Sequence, residues 1–152
     1  VELILWRHAD AEEGVPDAAR ALTAKGHKQA KKMAQWLERH LPSTCKILVS
    51  PTVRTQQTAQ ALERRFKTVE EIGPGASAEA VLAAAGWPDS KEPVLVVGHQ
   101  PTLGRVAALL LTGKAEDCTI RKANVWWIVQ KERGDDAGNY LKAAMSPELV
   151  TK

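Results

Sequence analysis

The chain has 152 residues, 44% of them hydrophobic and 26% charged, with a formal net charge of +3. That length predicts one domain over residues 1–152 with a sizeable core, and no apolar run approaches the roughly 18–20 residues of a membrane span. The charge is too small to argue for nucleic acid and is compatible with an anionic substrate.

Two cysteines, Cys45 and Cys118, stand far apart with no CxxC or metal-ligand spacing. They predict two unpaired thiols in a reducing cytoplasm. The opening apolar run is shorter than a signal peptide's apolar region and has no basic stretch ahead of it, so this run is not expected to be a signal peptide.

Leu3-Ile4-Leu5-Trp6 reads as a strand buried on both faces, running into Arg7, His8, Ala9 and Asp10. Polar residues at such a strand end sit where open α/β sheets bind ligands. A polar loop, residues 11–21, follows and holds Arg20. Thr23 is the expected N-cap of a first helix, although Gly26 stands at the capping-box position in place of an acid. Ala30, Met33, Ala34, Leu37 and Leu41 give that helix one apolar face, Lys25, Lys28 and Lys32 share another, and Pro42 ends it. The lysine row reads as a solvated surface, with an acidic docking partner as the alternative. His27 and His40, with no motif around them, read as surface residues.

Cys45 to Val49 is the second predicted strand. Ser50-Pro51 opens a second helix, with proline at the first helical position and Val53, Ala59, Leu62 and Phe66 as its buried stripe. Arg54 falls in the first turn, where an arginine opposes the helix dipole unless it faces a bound anion. Thr68 to Ile72 reads as a short edge strand, Gly73-Pro74-Gly75 as a turn, and Ser77 as the cap of a third helix carrying Ala78, Val81, Leu82 and Ala85. Val94 to Val97 is the third core strand and runs into Gly98-His99-Gln100-Pro101. Pro101 opens a helix with Leu103, Val106, Ala107, Leu110 and Leu111 on its stripe, ended by Gly113. Asn124 to Lys131 and Asn139 to Met145 then read as a hairpin around Arg133-Gly134-Asp135-Asp136-Ala137-Gly138, extending a mostly parallel sheet, with a loose tail after Ser146-Pro147. Trp126 and Trp127, as strand neighbours, should point to opposite faces.

If the three core strands are parallel neighbours, Arg7, His8, Arg54 and His99 meet at one sheet edge. Two guanidiniums can each grip a phosphoryl group by paired hydrogen bonds. One neutral imidazole can attack phosphorus and hold the phosphoryl group covalently. The arginines favour that neutral form, and the second imidazole can donate to a nonbridging oxygen in the transition state. His8, Asp10 and His99 could be read as metal ligands, but two arginines beside them would repel a cation.

Arg7-His8 after a first strand resembles the signature of the histidine phosphatase (phosphoglycerate mutase-like) superfamily. Ser50-Pro51-x-x-Arg54-Thr55-x-x-Thr58-Ala59 resembles its second motif and Gly98-His99 its third, in the same order along essentially the whole chain. The short length, Arg20-Ala21-Leu22-Thr23-x-x-Gly26 and Gly98-His99-Gln100-Pro101 resemble the small phosphohistidine phosphatases of the SixA type. The resemblance implies a three-layer α/β sandwich, a mostly parallel mixed sheet flanked by helices. It implies hydrolysis without metal or cofactor through a phosphohistidine on His8, with Arg7, Arg54 and His99 as the phosphate pocket and Arg20 as a further phosphate-facing residue.

Two departures stand out. Ala9 replaces the usual glycine of the first motif, and the site is expected to tolerate it. Residues 73–77, where many relatives carry an acid, hold none, while Glu70 and Glu71 lie just upstream on the expected strand. An alkoxide leaving group needs a proton, for which a positioned acid supplies a factor of about 10²–10⁴. A protonated imidazole leaves neutral and needs less help. The expected substrate is therefore a phosphohistidine on a protein, and the resemblance implies a protein of a bacterial phosphorelay or phosphotransfer system. The alternatives are a phosphatase of small phosphate monoesters and a non-catalytic phosphate or phosphoprotein binder. Neither nucleic acid nor membrane is an expected partner, and the chain is expected to be a cytoplasmic monomer.

Overall fold

The computed structural model describes residues 1–131 and 138–151. In chain order these form β1 (Glu2–Arg7), α1 (Ala24–His40), β2 (Lys46–Val49), α2 (Val53–Gln60), β3 (Lys67–Thr68), α3 (Ala78–Ala85), β4 (Val94–Gly98), α4 (Thr102–Thr112), β5 (Val125–Gln130) and β6 (Asn139–Met145). Short 3-10 turns occur at Asp17–Ala19, Glu70–Ile72 and Pro147–Leu149.

The strands form one sheet in the order β3-β2-β4-β1-β5-β6. β3, β2, β4 and β1 are mutually parallel, whereas β5 is antiparallel to β1 and β6 antiparallel to β5. The strands of a parallel block are covered on both faces, which is why β1 and β4 read as unbroken apolar runs. Ile4, Trp6, Val49, Leu95, Val97 and Trp127 pack on one face with Met33 and Leu37 of α1 and Ala59 of α2. Leu3, Leu5, Val96 and Ile128 pack on the other with Val81 of α3 and Leu103 and Val106 of α4. The result is the expected three-layer α/β sandwich, with Trp126 and Trp127 on opposite faces. The register pairs Arg7 with Gly98 and Val49 with Val97, so the ends of β1, β2 and β4 lie level at one edge.

Thr23 caps α1 by accepting from the Gly26 amide at 2.9 Å. A side chain on Gly26 would land on the Asp10 carbonyl, so glycine there lets the helix start seat against the loop after β1. That contact explains why the capping-box position carries no acid.

Several local expectations are corrected. Pro51 is not the first residue of α2: Thr52 caps the helix, leaving Ser50 and Pro51 in the strand-to-helix turn. α2 ends at Gln60, so Leu62 and Phe66 reach the core from the following turn instead of from the helix. Pro101 is the N-cap of α4. The stretch 68–72 is not a strand: β3 stops at Thr68, and Glu70 and Glu71 are exposed on a 3-10 turn. The tail is not loose either, because Pro147 and Val150 are buried, Val150 within the α1 side of the core. The predicted hairpin turn falls mostly outside the described residues.

Candidate active site

Each site residue ends or follows a core strand. Arg7 closes β1 and His8 follows it, its amide donating to the Gly98 carbonyl at 3.1 Å. Ser50 follows β2, donating its amide to Val97 at 3.1 Å, and the turn it begins delivers Arg54 one residue into α2. His99 follows β4. The two imidazoles lie 5.4 Å apart between ring centroids, and Arg54 Nη2 sits 3.5 Å from His99 Nδ1. His8, Arg54 and His99 are almost fully buried and Arg7 is half-buried. The sheet thus gathers Arg7, His8, Arg54 and His99 at one edge.

The tautomer of His8 follows from its partner. Nδ1 lies 2.8 Å from the Ala9 carbonyl, which can only accept, so Nδ1 carries the proton and Nε2 keeps its lone pair. Burial, with the charges of Arg54, Arg7 and Arg20, pushes this imidazole down to about 4 despite the upward pull of the Ala9 carbonyl. Burial, then His8 and Arg54, push His99 down to about 3. Both rings are therefore neutral at neutral pH. Ala9 is fully buried, lies outside the positive-φ region, and donates its amide to Thr58 Oγ1 at 3.1 Å, so its methyl group meets no backbone conflict.

Arg7 is anchored by its Nη1 donating to the Ile120 carbonyl at 2.9 Å. Arg7 Nε and Arg54 Nε are buried with no hydrogen-bond partner among the described residues. Unmet donors on a cation are costly in protein and are met by an oxyanion.

Two participants were not singled out in the sequence. Asp17 takes Arg54 on both sides: Nη2 donates to its Oδ2 at 3.0 Å and Nη1 to its backbone carbonyl at 2.9 Å. Ser50 is completely buried, with Oγ 2.7 Å from His99 Nε2. Arg54 Nη2 can only donate and faces His99 Nδ1 at 3.5 Å, so Nδ1 keeps its lone pair and Nε2–H donates to Ser50 Oγ. Ser50 belongs to the second motif and was legible as a motif position; Asp17, in the polar loop, had no signal around it.

Arg20 does not touch either imidazole directly. Its Nη1 donates to Asp17 Oδ1 at 3.0 Å and its Nε to the Glu12 carbonyl at 2.7 Å, so it meets the site through Asp17. The Asp10 carboxylate turns away to Lys122 and Thr23. His27 and His40 are exposed on α1, away from the cluster.

Comparison with known proteins adds the following. The family model described as "Histidine phosphatase superfamily (branch 1)" matches residues 3–75. The Phosphohistidine phosphatase SixA homolog of Haemophilus influenzae is 35% identical over 126 residues, covering 72% of this chain and 77% of the relative. Phosphohistidine phosphatase SixA of Escherichia coli is 28% identical over 123 residues, covering 75% and 76% respectively. Among solved structures, the protein histidine phosphatase SixA complexed with tungstate superposes with a TM-score of 0.80 at 22% identity, over 99% of this chain and 100% of that one.

Proposed function

The chain belongs to the histidine phosphatase superfamily, and from that premise we propose that it removes the phosphoryl group from a phosphohistidine on a protein, through a phosphohistidine of its own on His8. The observation that carries the reading is the hydrogen bond from His8 Nδ1 to the Ala9 carbonyl, which frees Nε2 beside two arginines. Nε2 attacks phosphorus and forms the new P–N bond as the substrate's P–N bond breaks. The substrate imidazole, protonated on its other nitrogen, departs as the neutral ring. Phosphorylated His8 keeps its Nδ1 proton, so when water attacks phosphorus the P–N bond electrons return to Nε2 and regenerate neutral His8 with orthophosphate. Both steps release a neutral imidazole, and neither needs a carboxylic acid.

Arg7 and Arg54 hold the nonbridging oxygens, and His99, held in place by Ser50, lines the pocket beside Arg54. Tungstate is a tetrahedral oxyanion, and its presence in the SixA structure supports an oxyanion site in this fold. The two arginines favour an anion over a metal cation, so no metal is assigned a role.

The rival substrate is a small phosphate monoester. Its alkoxide must be protonated as it leaves, and Asp17 is the carboxylate paired with Arg54 among the described residues. Hydrogen bonds from Arg20 and Arg54 hold Asp17 below the usual carboxylate range. An ionised carboxylate is a poor acid at neutral pH, which favours the P–N substrate.

The test is kcat/KM for a phosphohistidine protein beside a panel of phosphate esters, together with trapping of labelled enzyme. The label should survive alkali, disappear in acid and be absent in His8→Ala, and turnover should persist in chelator. Acid-stable label, or full activity of His8→Ala, refutes the covalent role. Higher efficiency on an ester than on the phosphohistidine protein refutes the P–N assignment.

A further inference from the structure

A polar cavity of about 360 Å³ has Arg7 in its wall and does not include His8 or His99. It is walled by Asp10 from the loop after β1, Lys25 from the first turn of α1, Arg121 and Lys122 from the segment before β5, and Glu148 from the C-terminal 3-10 turn. Four cations, Arg7 included, thus face two carboxylates. Asp10 is already spoken for, since Oδ1 accepts from Lys122 at 2.9 Å and Oδ2 from Thr23 Oγ1 at 2.7 Å. Lys25 and Arg121 are exposed and make no ion pair within 4.0 Å among the described residues. Glu148 feels both charges at longer range.

This surplus matters because of where it lies. Arg7 belongs both to the cavity wall and to the cluster around His8, so a molecule with its phosphoryl group at His8 can extend a second group past Arg7. The phosphoryl group itself is answered by Arg7 and Arg54. Lys25 and Arg121, in the same cavity wall, remain to answer a further negative charge. A neutral or cationic group would leave that surplus unmatched.

We propose that this cavity is a second-anion subsite that takes a carboxylate carried by the same substrate. The inference rests on the phosphoryl site at Arg7 and His8 and adds to it a determinant of which phosphorylated molecules are accepted. The carboxylate has two sources, an acidic side chain near a phosphohistidine on a protein, or the acid group of a small phosphorylated carboxylic acid.

Binding of phosphonates tests it without relying on turnover. Phosphonoacetate, 3-phosphonopropionate and 4-phosphonobutyrate are compared with alkylphosphonates of matching chain length by calorimetry. At least one carboxylated member should bind about tenfold tighter than its uncharged counterpart, as expected for a charge-assisted contact. The double variant Lys25→Gln/Arg121→Gln should lose that advantage and keep its affinity for the alkylphosphonates. Glu148→Gln should increase the advantage, which damage to the fold would not do. Equal binding of the two series in the wild type, or an advantage that survives the double variant, overturns the subsite while leaving the phosphoryl site intact. Failure of every alkylphosphonate to bind overturns the phosphoryl site and this inference with it. The source follows from kcat/KM. Loss in the double variant confined to phosphohistidine peptides with a neighbouring glutamate, and absent with glutamine, assigns a protein substrate. Loss confined to small phosphorylated carboxylic acids assigns a metabolite.

Discussion

Acidification should leave His8 and His99 neutral well below the range where histidine ordinarily takes up a proton. Burial among arginines sets His8 at about 4 against an ordinary value of 6.5. At pH 5 an imidazole at about 4 is about 90% neutral, whereas one at about 6.5 is about 3% neutral, a difference of about 30-fold in neutral imidazole. kcat/KM, corrected for the separately measured ionisation of the substrate's phosphoryl group, should therefore hold most of its value down to pH 5. The same shift acts on stability. The folded-state values lie below the unfolded one, so the folded protein binds fewer protons, and the stabilisation is complete above about 6.5 and lost as pH falls towards about 4 for His8 and about 3 for His99. The slope for each histidine approaches about 1.4 kcal/mol per pH unit within that window. The assay is proton NMR of the imidazole Cε1–H resonances, assigned with His8→Gln and His99→Gln, beside urea denaturation from pH 7 to 4. Orthophosphate should raise both midpoints, because the anion favours the imidazolium. A free-enzyme midpoint near 6.5 for His8 would refute the argument that burial and the arginines keep the proposed nucleophile neutral.

Ser50→Ala removes the 2.7 Å bond to His99 Nε2 and should lower kcat/KM about 3- to 10-fold, the worth of one hydrogen bond, while nitrogen NMR shows the His99 tautomers mixed. Asp17→Ala should cost less than about 1 kcal/mol of stability, because the carboxylate is exposed, yet reduce kcat/KM more than about fivefold by releasing Arg54; equal losses in both would mark a merely structural role. Gly104→Ala would place a methyl group on the Cys118 carbonyl and should lower stability by about 1–3 kcal/mol, read as a drop in the urea midpoint.

The sheet and the four residues at its edge were readable from the chain alone, because both signals are local. An unbroken apolar run marks a strand covered on both faces, and a charged residue straight after it marks the strand end. Three such runs, ended by Arg7-His8, Ser50 to Arg54 and Gly98-His99, were enough to place one edge. The boundaries that failed did so where tertiary packing overrode local pattern. Leu62 and Phe66 continue a helical stripe in the sequence, yet they pack from a turn after α2 has ended. Val150 follows a stretch with no strong periodicity, yet it is held by the α1 side of the core.

Only the folded chain decided how the site is tuned. Asp17 meets Arg54 across 37 positions, Ser50 meets His99 across 49, and the Ile120 carbonyl meets Arg7 across 113. A single side chain paired with a distant one has no period, so nothing beside it in the sequence announces the contact. The protonation of His8 likewise depends on its depth and on the Ala9 carbonyl, both products of packing. Residue types and their order sufficed to place the arginines and imidazoles at one sheet edge because strand ends are local. The tautomers, the arginine clasp and the cationic cavity required the tertiary structure, since each joins side chains that only folding brings within hydrogen-bond or Coulomb range.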